Sequence, residues 1–171
     1  MKKYILLVVI ILTFLSSCNK NAPNKEVTSK FVRVWFDTVQ GIPFRSKLEI
    51  KANNTFEYSS GSCENRSESY GIWKMIKDTI VLKSIKPKTC CYQHRFAFCD
   101  FNKEANSFDN KTTIKGCVPN GGEADYEIFE DEKFVVRNDT LIHKSDKKSS
   151  CPNLVIAFSS KEKVRIMYSK N

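Results

Sequence analysis

Only two histidines occur in this chain of 171 residues, at positions 94 and 143. Neither lies beside a nucleophile motif such as Gly-x-Ser-x-Gly, although a serine or cysteine nucleophile usually needs a histidine base. The sequence also lacks a glycine-rich phosphate loop and a dinucleotide-binding fingerprint. The acidic residues at 127–132 could supply a carboxylate pair for sugar hydrolysis, but an exposed hairpin turn has the same composition. We therefore predict no catalytic residue, no cofactor and no enzymatic activity.

A long stretch with the 3.6-residue period of an amphipathic helix is missing as well. The chain alternates between apolar and polar residues instead. Leu48 and Ile50 share one face of a predicted strand, residues 53–54 form a turn, and Phe56 and Tyr58 return on the next strand. About ten short strands of this kind follow one another. The predicted fold is all-β, either an antiparallel up-and-down barrel or a two-sheet sandwich, stabilised by disulfides.

One part of this pattern, residues 46–84, is similar to a known family. It contains the motifs Leu48-x-Ile50, Phe56-x-Tyr58, Tyr70-Gly71-x-Trp73 and Asp78-x-Ile80-x-Leu82. Their spacing resembles the lipocalin-like β-barrel domains of small bacterial lipoproteins, although true lipocalins carry Gly-x-Trp on the first strand and here it lies on about the fourth. The resemblance implies a closed or nearly closed antiparallel sheet with a hydrophobic interior. It implies no catalytic residue.

The amino terminus contains a short apolar run. Lys2 and Lys3 precede apolar residues 4–15, and the segment ends in Leu15-Ser16-Ser17-Cys18. This order is typical of a secretory signal peptide, and its ending resembles the lipobox of bacterial lipoproteins. The resemblance implies cleavage before Cys18 and attachment of fatty acyl chains, such as palmitate, to that cysteine. An uncleaved transmembrane helix is the alternative, but about 12 residues span only about 18 Å of a hydrocarbon core about 30 Å thick.

These features divide the chain into a signal peptide at 1–17, a lipidated flexible tether at 18–30 and a single β-rich domain at 31–171. Two or more acyl chains hold a protein on a bilayer. Asn19 follows the cysteine, where aspartate would resemble an inner-membrane retention signal. We therefore predict an outer-membrane lipoprotein that faces the periplasm or the exterior. Its predicted partners are the membrane, through the lipid, and either a hydrophobic small ligand or another envelope protein.

The net charge also bears on which partners the protein binds. The chain has a formal net charge of +9, of which the signal peptide supplies two positive charges. This excess favours anionic surfaces or acidic polymers. The lysines are spread along the sequence, so we predict no binding of nucleic acid. Besides ligand or partner binding, two alternatives stay open: a structural or assembly factor acting through its basic surface, and an enzyme or enzyme inhibitor with an unrecognised site.

The cysteines agree with export from the cell. Apart from Cys18 there are six, namely Cys63, Cys90, Cys91, Cys99, Cys117 and Cys151. An even number in an oxidising compartment predicts disulfides, with 15 possible pairings for six cysteines. We predict a bond from Cys99 to Cys117 and different partners for Cys90 and Cys91, since neighbours on a strand point to opposite faces. Cys90-Cys91-x-x-His94 also has metal-ligand residue types, but thiolates survive poorly where disulfides form, so we predict no metal site.

Asp-Thr followed by an aliphatic residue occurs three times, at 37–39, 78–80 and 139–141. The motif is similar to the O-glycosylation signal of some Gram-negative anaerobes and their relatives. That resemblance implies modification at Thr79 and Thr140, which lie beside predicted turns. An Asp-Thr turn before a β-branched strand is also ordinary hairpin chemistry, so both interpretations stay open.

Overall fold

The computed structural model describes residues 30–38, 45–62, 66–97, 112–120, 122, 124–145 and 155–162. Within these ranges the chain forms eleven β-strands and no helix. The strands are β1 (Arg33–Asp37), β2 (Arg45–Ile50), β3 (Thr55–Gly61), β4 (Arg66–Ile76), β5 (Thr79–Ser84), β6 (Tyr92–Arg95), β7 (Thr112–Thr113), β8 (Asp125–Ile128), β9 (Glu132–Arg137), β10 (Thr140–Lys144) and β11 (Ala157–Ser159).

Eight of these strands close into a barrel. Their order around the ring is β1-β2-β3-β4-β5-β9-β10-β11, and β11 pairs back with β1. Every pairing within the ring is antiparallel. Ring order follows chain order, so this is an up-and-down barrel with one excursion, residues 85–131, between β5 and β9. The predicted all-β antiparallel fold is confirmed, and the barrel is the correct form of the two.

The hairpins follow the alternation seen in the sequence. Leu48 pairs with Tyr58 and Ile50 pairs with Phe56, and all four side chains are buried. The turn between β9 and β10 has positive φ angles at both central residues, 47° at Asn138 and 56° at Asp139. Such angles are those of a type I′ turn, whose twist matches the twist of the flanking strands.

Aromatic side chains fill the interior of the barrel. Phe56 packs against Phe129 with 5.1 Å between ring centroids, and Tyr58 packs against the same ring at 5.3 Å. Trp35 and Leu48 are fully buried in the same cluster. The interior is therefore a packed core, held by the large apolar area that aromatic rings remove from water. The core also includes Phe31, Trp73, Ile80, Leu82, Phe96, Phe134, Leu141 and Phe158.

The two ends of the barrel differ. The end with the turns at 51–54, 77–78 and 138–139 is called the turn end. The chain enters the barrel there through Phe31, which is buried and whose carbonyl accepts a 2.9 Å hydrogen bond from Nε1 of Trp35. The other end, where the excursion leaves β5 and returns to β9, is called the excursion end.

The excursion adds β6, β7 and β8 outside the ring. β8 runs parallel to the first half of β4, with Ser67 opposite Asp125, and β6 runs parallel to β8. The hydroxyl of Tyr126 joins this layer to the barrel. It lies 2.9 Å from the carbonyl oxygen of Tyr70 and 2.5 Å from that of Ile85, and can donate to one of them at a time. The parallel pairings are a feature that the sequence pattern did not predict.

One disulfide joins Cys90 to Cys117, with 5.8 Å between their Cα atoms. The predicted bond from Cys99 to Cys117 is therefore wrong. The physical reason is the pairing of β6 with β7, in which Tyr92 lies opposite Thr113. This pairing brings the residues just outside both strands together. Cys91 is buried, and Cys63, Cys99 and Cys151 lie outside the described residues.

Candidate binding surface

Both histidines lie beside glutamates. Nε2 of His143 is 2.7 Å from Oε2 of Glu132, and the His143 side chain is 4% exposed. Its ring packs against Phe96 at 5.5 Å and Phe134 at 5.1 Å between centroids. The geometry makes His143 a hydrogen-bonded member of the core at the excursion end.

His94 is more accessible. Its side chain is 31% exposed, and its Nε2 lies 3.6 Å from Oε1 of Glu127. Nδ1 of the same ring is buried without a hydrogen-bond partner. Cys90, two residues before β6 begins, is held in a disulfide, so its sulfur is not a thiolate that could bind a metal beside His94. No group of three or more His, Cys, Asp or Glu side chains in the described part of the chain is placed to hold a metal ion.

A depression of about 300 Å³ lies on the outer face of β2, β3 and β4. Its lining side chains come from positions 47–70, and the pairing of β2, β3 and β4 brings them together. Glu49 lies opposite Glu57, and Ser59 lies opposite Glu68. The full lining consists of Lys47, Glu49, Glu57, Tyr58, Ser59, Glu68, Ser69 and Tyr70.

The charges in this depression are partly compensated. Glu49 and Glu57 carry like charges on opposite positions of paired strands and repel each other. Each has a lysine beside it: Nζ of Lys47 lies 3.6 Å from Oε2 of Glu49, and Nζ of Lys51 donates a 2.5 Å hydrogen bond to Oε1 of Glu57. That hydrogen bond raises the pKa of Lys51 above its usual value. Glu68 makes no ion pair with a described residue. Its carboxylate is therefore available to a positively charged group.

A second surface lies on the outer side of β4, β5, β9 and β10. Inward positions on these strands hold core residues such as Trp73, Leu82 and Phe134, so the alternate positions face outward. We call this surface the lysine face. It comprises Ile72, Lys74, Ile76, Thr79, Val81, Lys83, Lys133, Val135, Arg137, Thr140, Ile142 and Lys144. It contains basic residues and no acidic one.

The register of the strands arranges the lysine face in rows. Lys74 lies opposite Val81, Val81 opposite Lys133, and Lys133 opposite Lys144. The adjacent row runs through Ile76, Thr79, Val135 and Ile142. Repulsion between the lysines is tolerable because their ammonium groups can spread apart into water while their stems cover apolar surface. The result is a cationic row beside an apolar row.

The basic residues of this face have no acidic partners. Lys74, Lys83, Lys133, Arg137 and Lys144 form no ion pair with any residue in the described ranges. Val81 and Val135 are 4% and 5% exposed despite pointing outward, whereas Ile72 and Ile76 are about half exposed. This surface is not recognisable in the sequence because its lysines are separated by up to 70 positions; their shared outward phase is the available signal.

The two threonines predicted as glycosylation sites occupy similar places. Thr79 begins β5 and Thr140 begins β10, both at the turn end on the lysine face. The hydroxyl of Thr79 donates to Oδ1 of Asp78 at 3.0 Å, and that of Thr140 donates to the carbonyl of Asn138 at 3.3 Å. Their modification stays a prediction. Cys18, the predicted lipidation site, lies outside the described residues.

No helix among the described residues has the length and apolar character needed to cross a membrane. No protein-family model matches the sequence, and comparisons with curated proteins and with solved structures likewise find no match.

Proposed function

We propose that this chain is a lipid-anchored protein of the cell envelope that binds a partner, without catalysis, on the outer face of its barrel. The anchor is supported by the lipobox resemblance of residues 15–18 and by the disulfide, which suits an oxidising compartment. The observation that carries the binding function is the combination of a packed barrel interior with a polar depression on the outside of β2, β3 and β4.

The packed interior argues against an apolar cargo inside the barrel. A site for a small apolar ligand is a cavity of about 300–1,000 Å³ lined mainly by apolar groups. Here Trp35, Phe56 and Phe129 are at most 1% exposed and occupy the centre of the ring. The space of that size lies outside and has charged walls. We therefore favour the envelope-protein partner over the hydrophobic small ligand.

The chemistry of the depression indicates what the partner presents. Glu68 supplies a carboxylate that makes no ion pair with a described residue, Ser59 supplies a hydroxyl on the opposite strand, and Tyr70 supplies an aromatic ring. A lysine or arginine side chain satisfies all three, because a cation binds both carboxylates and ring faces. The partner would be an envelope protein with a basic side chain at the contact.

The anchor is tested by Cys18→Ala. We expect this variant to lose its acyl chains and to leave a membrane fraction washed at high salt, because the acyl chains are the stable attachment and salt screens any attraction between charges. Asn21→Ala, in the same tether, is the matched control and should stay in the membrane. A Cys18→Ala protein that remains in the membrane with its first residues uncleaved would show a helical anchor instead.

The binding surface is tested by placing a photo-crosslinking residue at Ser59 in the full chain in cells. We expect a discrete adduct whose yield falls about tenfold with Glu68→Lys, the effect of losing a charge-assisted hydrogen bond worth about 1.5–3 kcal/mol. Glu162→Lys makes the same charge change at an exposed position outside the depression and should leave the adduct unchanged. An adduct yield that does not change with Glu68→Lys would rule out this surface as the binding site.

A structural or assembly factor that acts through its basic surface is the second candidate. The lysine face favours it, since basic residues from four strands gather there and form no ion pair with a residue in the described ranges. The two functions are compatible because the depression and the lysine face share no residue: on β4, which contributes to both, the depression uses residues 68–70 and the lysine face uses residues 72–76.

A further inference from the structure

We infer that the lysine face docks onto an anionic lipid surface, the phosphate layer of the membrane that carries the anchor. This inference deepens the proposed function and rests on its lipid anchor. It assigns a binding partner to β4, β5, β9 and β10 and fixes which side of the barrel points away from the membrane.

Charge is the first argument. Lys74, Lys133 and Lys144 lie in one row across four paired strands, which spans about 14 Å at the usual spacing between strands. Lys83 and Arg137 lie on the same face. Basic side chains are attracted individually to anionic headgroups, and the attractions accumulate when several reach the surface together. The outward positions of this face hold no acidic residue, and Asp78, in the turn between β4 and β5, offsets part of the charge of Lys144.

The apolar residues are the second argument. Ile72 and Ile76 are 52% and 50% exposed on the edge of the lysine face. Surfaces that lie on a bilayer combine basic residues, which reach the phosphates, with apolar side chains that enter the boundary with the acyl chains. A lysine stem follows apolar surface while its ammonium group stays at the level of the phosphates. On β4 the outward positions place Lys74 between Ile72 and Ile76, which meets both requirements.

The length of the tether is the third argument and favours lipid over an acidic protein. The described chain begins at Lys30, and residues 19–29 separate it from Cys18. Eleven residues reach at most about 40 Å when fully extended, so an anchored barrel stays within that distance of the headgroups. Lys30, the last residue of the tether, precedes the buried Phe31 at the turn end, where β5 and β10 of this face begin. The hydrogen bond from the Thr79 hydroxyl is the largest cause that lowers the pKa of Asp78, and a backbone hydrogen bond and the positive charges of Lys144 and Lys30 lower it further.

Docking in this way orients the depression. β9 lies on the lysine face, and β3 lies three strands away in the ring of eight. The acidic depression on β2, β3 and β4 would then turn away from the anionic headgroups, which repel its glutamates, and toward a partner in the aqueous space. Membrane and partner would bind to different sides of one barrel.

The test uses the full acylated chain reconstituted into two kinds of vesicle, pure phosphatidylcholine and phosphatidylcholine mixed with phosphatidylglycerol. Lysines are methylated briefly and their extents of modification are read by mass spectrometry. We expect Lys74, Lys133 and Lys144 to react about fivefold more slowly in the anionic vesicles at low salt. This protection should disappear at high salt, where screening shortens the range of the attraction. Lys86 and Lys88, which are exposed outside the face, should react equally in both.

A paired variant separates docking from anchoring. Lys133→Glu with Lys144→Glu should abolish the protection of Lys74, whereas Lys86→Glu with Lys88→Glu should preserve it. All four positions are exposed, and near-ultraviolet circular dichroism verifies that both proteins are folded. Equal methylation of the lysine face in the two kinds of vesicle would overturn the inference and point to a protein partner. A chain that fails to incorporate into either kind of vesicle would contradict the anchor, and with it the proposed function.

Discussion

Phe129 stacks on Phe96 with 4.2 Å between the ring centroids and 20° between the ring planes. Phe129 follows β8 and Phe96 follows β6, so both rings come from the excursion and neither belongs to the eight strands of the ring. They nevertheless enter the barrel core, where Phe96 also contacts Tyr58 at 5.7 Å between centroids. The excursion is therefore part of the core and covers the end of the barrel from which it starts.

Removing one of these rings should expose that role. We expect Phe129→Ala to lower the free energy of unfolding by about 3–5 kcal/mol, because it leaves a large cavity among buried rings. Urea unfolding followed by tryptophan fluorescence measures the change. Tyr92→Ala removes an aromatic ring that is 41% exposed on the excursion and should cost much less. Equal losses in the two variants would mean that Phe129 does not contribute specifically to the core.

Gly71 illustrates a different constraint on the same core. A Cβ atom at this position would lie 2.6 Å from Cε1 of Phe56 and 2.8 Å from the Cα of Ser84, and still closer to the carbonyl oxygen of Lys83. Gly71→Ala should therefore lower the free energy of unfolding by about 1–3 kcal/mol or more through overpacking. Thermal unfolding followed by circular dichroism gives the measurement. Phe56→Leu should recover part of the loss, since it shortens the side chain that the new methyl group meets.

The Cys90–Cys117 bond should stabilise the excursion. Replacing both cysteines by serine should lower the free energy of unfolding by about 2–4 kcal/mol, since the bond closes a loop of 27 residues in the unfolded chain. Hydrogen exchange should accelerate in β6 and β7 and change little in the hairpin of β2 and β3. Peptide mapping without reduction provides the control, because it should recover the two cysteines in one linked pair. Recovery of Cys117 linked to another cysteine would contradict the structure.

Alkaline pH should destabilise the domain through Tyr58. Burial raises the pKa of its hydroxyl, and the negative charge of Glu127 raises it further. Tyrosine in the unfolded chain ionises near pH 10. Above that pH the unfolded chain binds fewer protons than the folded one, so the free energy of unfolding falls as pH rises.

Tyr58→Phe isolates this contribution. The variant should lose less stability than the unsubstituted chain between neutral pH and about pH 11 in urea titrations. Tyr92→Phe, at an exposed position, should retain the full decline. An identical decline in Tyr58→Phe would show that other groups cause the alkaline loss.

The barrel was predictable from the sequence because its hairpins are local. Alternation places Leu48, Ile50, Phe56 and Tyr58 on one face, and turns of two to four residues determine which strands pair. The excursion was not predictable. Its parallel pairings join residues such as Ser67 and Asp125, which are distant in the chain, and short strands carry too little pattern to specify such partners. The disulfide prediction was wrong for the same reason.

The candidate surfaces show a similar division. The sequence identified an excess of positive charge but not its location, since Lys74 and Lys133 become neighbours of Val81 only through the pairing of β5 with β4 and β9. Similarly, Glu68 joins Glu49 and Glu57 only after two strand pairings. Alternation within one strand predicts which of its side chains face outward. Which side chains lie next to each other on neighbouring strands is known only from the pairing of strands in the ring.

Closure of the ring has a consequence for the proposed attachment to a membrane. A sheet edge with unpaired N–H and C=O groups can pair with a second chain and start an aggregate. In the described part of the chain all eight barrel strands have neighbours on both sides, and the sheet ends at β7, which is only two residues long. If many copies were concentrated on one bilayer, each would present almost no unpaired strand edge with which a second copy could form a sheet. The barrel can therefore be held at high surface density without forming intermolecular sheets.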